Sequence, residues 1–142
     1  MREQQSGSRK KRTPEEIQFF KRRSHRRMLD MQHHVLVCNG GCCQRRESEP
    51  VIRALREEVA AQDLEEQVRV TASAQCIGRC SDACALVVYP EATWYRGMTA
   101  ARVPRLTREH LRHGRSIDEW TSYAMVDGRL QRSEAYVVDF EE

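Results

Sequence analysis

His33-His34-Val35-Leu36-Val37-Cys38, followed at once by Asn39-Gly40-Gly41-Cys42-Cys43, is an apolar run that stops on a thiol and opens into a small-residue stretch carrying two more. The run reads as a buried strand. Asn39-Gly40-Gly41-Cys42-Cys43 reads as a loop, because Asn and Gly accept positive φ at little cost. The pattern then returns, with 32 residues separating Cys43 from Cys76. Gln67-Val68-Arg69-Val70-Thr71-Ala72 alternates with period two, which predicts a strand, and it runs into a second small-residue loop holding Cys76, Cys80 and Cys84.

Between these strands Ser48 is placed to cap a helix with Pro50 near its start, and Val51, Leu55, Val59 and Leu64 recur at helical spacing. Ala85-Leu86-Val87-Val88-Tyr89 is a third strand stopped by Pro90, and Thr93-Trp94-Tyr95-Arg96 a fourth, the pair reading as a hairpin. Thr99 then caps a last helix carrying Val103, Leu106, His110 and Leu111, which Gly114 ends. The order is β-α-β-β-β-α, with a right-handed crossover joining the first two strands. That is an α/β, thioredoxin-like arrangement over residues 33–117.

The flanks differ in character. Residues 1–30 hold ten Lys or Arg against four Asp or Glu, including all three lysines (Lys10, Lys11, Lys21), whereas the remainder is mildly acidic. Residues 1–12 show no apolar periodicity. Thr13 is an N-cap, Pro14 suits the first helical position, and Glu16 completes a capping box. Ile17, Phe20, Ser24, Met28 and Met31 give the resulting helix a narrow apolar stripe. Residues 1–32 are therefore a basic arm. Residues 118–142 form a C-terminal β extension, with Asp127-Gly128 as a hairpin turn and Ala135–Phe140 as a further strand.

With 142 residues, 39% hydrophobic and 32% charged, the chain has room for one core. Its longest apolar run, Ala83–Tyr89, is far too short to cross a bilayer. No secretory signal is read at the N-terminus, so a cytoplasmic location is expected. Neither a Gly-x-Gly-x-x-Gly nor a Walker loop is present, and no nucleophile–base set stands out.

The six cysteines fall in two clusters of three. Cys38-x4-Cys43 and Cys76-x3-Cys80 each follow the C-terminal end of a strand, where open α/β sheets place their sites. Four converging thiolates suit an iron–sulfur cluster. A structural or regulatory zinc site uses four cysteines too, with pairs two to four residues apart around tight knuckles. A thiol–disulfide oxidoreductase would use Cys-x-x-Cys, absent here, or Cys42 or Cys43 with a second thiol. The wider gaps, with a whole helix between the pairs, favour the cluster. None of the histidines (His25, His33, His34, His110, His113) has metal-ligand spacing with the cysteines.

His34-Val35-Leu36-Val37-Cys38-Asn39, Cys43-Gln44-Arg45-Arg46-Glu47-Ser48-Glu49, Cys76-Ile77-Gly78-Arg79-Cys80, Val87-Val88-Tyr89-Pro90-Glu91 with Trp94-Tyr95, and Glu109-His110-Leu111 together resemble the thioredoxin-like 2Fe–2S ferredoxins, a group that includes a small component of respiratory NADH dehydrogenase. The resemblance covers about residues 33–120. It implies a 2Fe–2S cluster held by Cys38, Cys43, Cys76 and Cys80, and one-electron transfer to a partner oxidoreductase rather than catalysis on a substrate. It also implies a homodimer. Cys42 beside Cys43 leaves the second ligand open between them. Ala83-Cys84 stands where the family commonly has Gly-Pro. Cys42 and Cys84 read either as spare thiols at the cluster or as small buried apolar residues. Gly40, Gly41 and Gly78 offer backbone N–H groups to the sulfides. Arg45 and Arg79 would favour the reduced cluster if they lie near it, and are otherwise surface arginines. The basic arm reads as a docking element for an acidic redox partner or as a solvated tail. No motif supports nucleic-acid binding.

Overall fold

The computed structural model describes residues 10–137. Residues up to Asp30 and residues from Met31 onward form two compact units. The first contains helix α1 (Pro14–Asp30), which buries none of its residues. Thr13 Oγ1 accepts the Glu16 N–H at 3.1 Å, so the expected cap is present. Arg12 stacks 4.2 Å above the Phe20 ring.

The second unit is built on a six-stranded sheet in the order β2-β1-β3-β4-β5-β6. β1 is His33–Cys38 and β2 Val68–Ser73, and they pair in parallel with Cys38 opposite Ser73. β3 (Leu86–Tyr89) runs antiparallel to β1, and β4 (Thr93–Tyr95) antiparallel to β3. The extension continues this sheet: β5 (Thr121–Val126) pairs with β4, and β6 (Arg129–Arg132) with β5. Asp127 (φ 52°) and Gly128 (φ 78°) make the turn between them, both left-handed as a two-residue hairpin requires.

A short helix α2 (Gly41–Arg45) starts inside the segment expected to be loop, because the Gln44 N–H closes a turn onto Gly40 O at 2.9 Å. The crossover helix α3 runs Ser48–Ala61. Ser48 is not its cap. Glu47 takes that place in the left-handed region (φ 62°), and Ser48 Oγ donates to Asn39 Oδ1 at 2.5 Å. Val51, Leu55 and Val59 face the core with Val35, Val37, Leu86 and Val88, while Leu64 packs at its margin beyond the helix end. Leu55 is fully buried, a burial that contributes about 1.5–3 kcal/mol.

The last helical segment is composite. A 3₁₀ turn at Ala100–Arg102 leads into helix α4 (Val103–Leu106) and a π-helical turn at Thr107–Arg112. Thr99 makes no side-chain cap. Gly114 (φ 73°) ends the segment, its N–H bonded to His110 O at 2.9 Å. Of the expected strand over Ala135–Phe140, residues 135–137 are not strand, because the chain turns after Ser133 (Tyr136 N to Ser133 O, 3.0 Å). The rest of that stretch lies outside the described residues.

Candidate metal centre

Because β1 and β2 are parallel, the loops that follow them leave the same end of the sheet. Asn39 ties the two together, its N–H donating to Ser73 O at 2.7 Å. Its own carbonyl accepts Gln44 Nε2 at 2.8 Å, which fixes the start of α2. Gly40 is the point of closest approach. A Cβ built on it would stand 2.9 Å from the Cys76 nitrogen and 3.0 Å from the Cys76 Cα. Neither Gly40 nor Gly41 adopts positive φ, so Gly40 serves close passage rather than turning, contrary to the sequence expectation.

All six cysteines carry free thiols, and they form a chain of neighbours. Cys84 interacts with Cys43, Cys43 with Cys38, Cys38 with Cys76, Cys76 with Cys80 at 3.3 Å, and Cys80 with Cys42. Cys38, Cys43 and Cys84 are buried, Cys42 is intermediate, and Cys76 and Cys80 are exposed. Among the described residues, no three of these sulfurs lie all within 4.8 Å of one another. A single tetrahedral zinc, with bonds of about 2.3 Å, would hold all four of its sulfurs within about 3.8 Å of each other. The thiols thus line an extended edge, which suits a group larger than one ion.

The thiols differ electrostatically. The Gly78 N–H, 3.2 Å from Cys76 Sγ, lowers the Cys76 thiol below its ordinary value, and Cys80 adds to the effect. Its neighbour Cys80 is pushed up to about 12 by its contacts with Cys76 and Cys42. Burial pushes Cys84 up to about 12 and Cys43 up to about 11. Arg45 Nη2 approaches Cys42 Sγ at 3.8 Å. Arg79 turns to Asp82 instead, bonding its carboxylate at 2.7 Å.

Asp82 was not signalled by the sequence, beyond its place three residues after an arginine. It is 4% exposed, and it sits two residues past Cys80. At the other end of β1, His33, Glu91 and His110 come together, with both Nε2 atoms on Glu91 Oε2 at 3.2 and 2.6 Å. His110 is buried, as expected of a packing residue, but it is also fully hydrogen-bonded, to Glu91 and to the Tyr95 hydroxyl. Tyr95 is buried in the core, and Trp94 lies beside it in the hairpin.

Residues 15–110 match the family described as thioredoxin-like [2Fe-2S] ferredoxin. A Clostridium pasteurianum protein named "Ferredoxin, 2Fe-2S" is 33% identical over 98 residues, which are 63% of this chain and 95% of that protein. A Priestia megaterium protein, provisionally named a 2Fe-2S ferredoxin, is 41% identical over 92 residues, 65% of this chain and 71% of its own length. The crystal structure of the wild-type thioredoxin-like [2Fe-2S] ferredoxin of Aquifex aeolicus superimposes with a TM-score of 0.61 at 25% identity, covering 64% of this chain and 96% of that one.

Proposed function

The chain belongs to the thioredoxin-like [2Fe-2S] ferredoxin family, and on that footing we propose that Cys38, Cys43, Cys76 and Cys80 hold its 2Fe–2S cluster. The protein is a one-electron carrier. The observation that carries the ligand assignment is the convergence of two thiol pairs along one edge, Cys38 with Cys43 and Cys76 with Cys80, joined through Cys38 and Cys76. A Cys₄ donor set matches the ligation of such clusters. Gly40 makes that convergence possible. When bound, the cluster supplies a site that takes up and gives back a single electron.

The chain's own residues do the rest. The buried pair, Cys38 and Cys43, anchors the site to β1 and α2, while Cys76 and Cys80 form its exposed rim. Electron exchange with a partner therefore runs through the surface of the 74–84 loop. The Gly78 N–H donates to Cys76 Sγ, a hydrogen bond of the kind that tunes such centres. Cys42 and Cys84 are the spare thiols, one at the rim beside Arg45 and one in the core.

We assign residues 1–32 to docking, residues 33–117 to the ferredoxin domain and residues 118–142 to an extension of it. The exposed basic face of α1 complements an acidic redox protein, which raises encounter rates. An accessory role in an oxidoreductase complex fits such a surface. Among the described residues no helix is long and apolar enough to cross a membrane, and six free thiols suit the reducing cytoplasm. Sedimentation of the holoprotein tests the homodimer implied by the family resemblance.

The test is an anaerobic visible spectrum before and after dithionite, with iron and sulfide analysis. Broad visible absorption that bleaches on reduction, with iron and sulfide in equal amounts, is expected. A colourless protein carrying one zinc would overturn the assignment.

A further inference from the structure

Tyr136 lies in the C-terminal extension, beyond the stretch matched to the family, yet its hydroxyl donates to Asp82 Oδ1. Asp82 is buried and belongs to the loop that carries Cys76 and Cys80. Its other carboxylate oxygen accepts Arg79 Nε at 2.7 Å, and Arg79 Nη2 donates to the Tyr136 oxygen at 3.1 Å. Arg79 and Asp82 flank Cys80 on either side in sequence. The segment around Cys80 is thus gripped from a residue more than fifty positions away.

The grip is itself held. The Arg79 guanidinium stacks 4.8 Å from the Tyr123 ring, and Tyr123 meets Tyr136 edge to face at 5.8 Å. Arg96 stacks 5.0 Å from the Tyr136 ring while its Nη2 donates to Ala135 O at 3.0 Å. Thr121 Oγ1 and Ser133 Oγ, 2.9 Å apart, join β5 to the turn that presents Tyr136. The loop's own backbone bonds are few: Asp82 N to Arg79 O at 2.9 Å and Ala83 N to Cys80 O at 3.4 Å, with Gly97 N to Asp82 O and Met98 N to Cys84 O, both at 3.0 Å, anchoring its far end to the segment after β4. Cys76 and Cys80 are both exposed, so burial does little to order them.

We propose that the C-terminal extension is a strap for the cluster-binding loop, with Tyr136 as a positioning residue acting through Asp82 and Arg79 on Cys80. The strap holds Cys80 in place and keeps the Arg79 charge paired with Asp82, directed away from the thiolates. Loss of the Tyr136 hydroxyl loosens the loop and frees Arg79 to turn toward the sulfurs. A positive charge there favours the reduced cluster, so the potential rises. The proposal rests on reading Cys76 and Cys80 as ligands.

The test compares reconstituted full-length protein with its Tyr136→Phe and Ser116→Ala variants. Tyr136→Phe keeps the ring contacts and loses only the hydroxyl. Ser116→Ala removes a side-chain hydrogen bond, to Asp118 Oδ1 at 2.8 Å, that belongs neither to the loop nor to the residues that hold Tyr136. The readouts are the rate of cluster loss to an iron chelator and the midpoint potential from an anaerobic optical titration. Tyr136→Phe should lose its cluster about tenfold faster than wild type, the effect of losing one hydrogen bond to a charged group, and titrate at a higher potential. Ser116→Ala should match wild type in both. Equal chelator rates and potentials in wild type and Tyr136→Phe would overturn the strap, as would an equal acceleration in Ser116→Ala. Wild-type protein that takes up no cluster fails the ligand reading itself, and with it the strap, before any variant is compared.

Discussion

The Tyr95 hydroxyl and His110 Nδ1 stand 2.6 Å apart, tying β4 to the π-helical turn. The same oxygen accepts the Ile117 N–H at 3.1 Å. One arrangement satisfies every member: the hydroxyl donates to Nδ1, and Nε2–H donates to Glu91. His110 is then neutral. Burial lowers its pKa below the ordinary 6.5, outweighing the adjacent carboxylate. Burial alone would raise Glu91, but the hydrogen bond from His110 and the charge of His33 hold it below its ordinary 4.5. Both groups bind protons more readily in the unfolded chain, so stability falls as the pH drops below about 6.5 and again as Glu91 titrates at lower pH. The urea midpoint should decrease from about pH 8 to about pH 5, and His110→Gln should show a smaller decrease over that range. Parallel pH profiles for the two proteins would refute this account.

Gly40→Ala should be more harmful than an exposed Gly→Ala change. Its Cβ would meet the Cys76 backbone at 2.9 Å, and backbone cannot rotate away as a side-chain tip can. The loops must part, at a cost of about 1–3 kcal/mol typical of overpacking. Iron content after reconstitution should fall as well, because the same movement separates Cys38 from Cys76. Gly41→Ala, with open space around its position, is the control and should reconstitute like wild type.

In the apoprotein, alkylation should follow exposure. Cys76 is exposed and its thiol is lowered, so it should react first. Cys43 and Cys84, at 1% exposure and pushed up by burial, should react last, and only on unfolding. Mass spectrometry of tryptic peptides at increasing iodoacetamide exposure reads the order directly. Early modification of Cys84 would contradict its placement in the core.

Much of this architecture is legible in local pattern. The β1 and β2 runs, the crossover between them and the Asp127-Gly128 turn follow from periodicity and turn chemistry, and together they bring two cysteine loops to one end. What escapes is set by partners distant in sequence. Ser48 looks like a cap, but Asn39 Oδ1 takes its hydroxyl. Ala135–Val137 alternates like a strand, but Tyr136 bonds Asp82 and its ring meets Tyr123 and Arg96, which turns the chain out of the sheet. Gly40 reads as a turn residue, and only the packing of Cys76 against it reveals the close approach.

Removing residues 1–30 should leave the cluster of the remaining chain intact. Helix α1 buries none of its residues, so its loss takes no core surface with it. The visible spectrum and melting temperature of the truncated protein should equal those of the full chain. A loss of colour on truncation would show that the arm does more than dock.

The choice between Cys42 and Cys43 is open to a direct comparison. Cys43 is buried against Cys38 and completes the x4 spacing from it, whereas Cys42 is nearer the rim and contacts Cys80. If Cys43 is the ligand, Cys43→Ser replaces a thiolate with a harder oxygen donor at the buried end of the site. Its charge-transfer bands should shift and its iron content drop, while Cys42→Ser should keep both. Cys38→Ser, Cys76→Ser and Cys80→Ser should behave as Cys43→Ser does. The reverse pattern, with Cys42→Ser losing iron and Cys43→Ser keeping it, would move the second ligand to the rim. Retention of full iron by both single variants, with loss only in the double variant, would mean that either thiol can complete the set. In that case the assignment of Cys43 alone would fall.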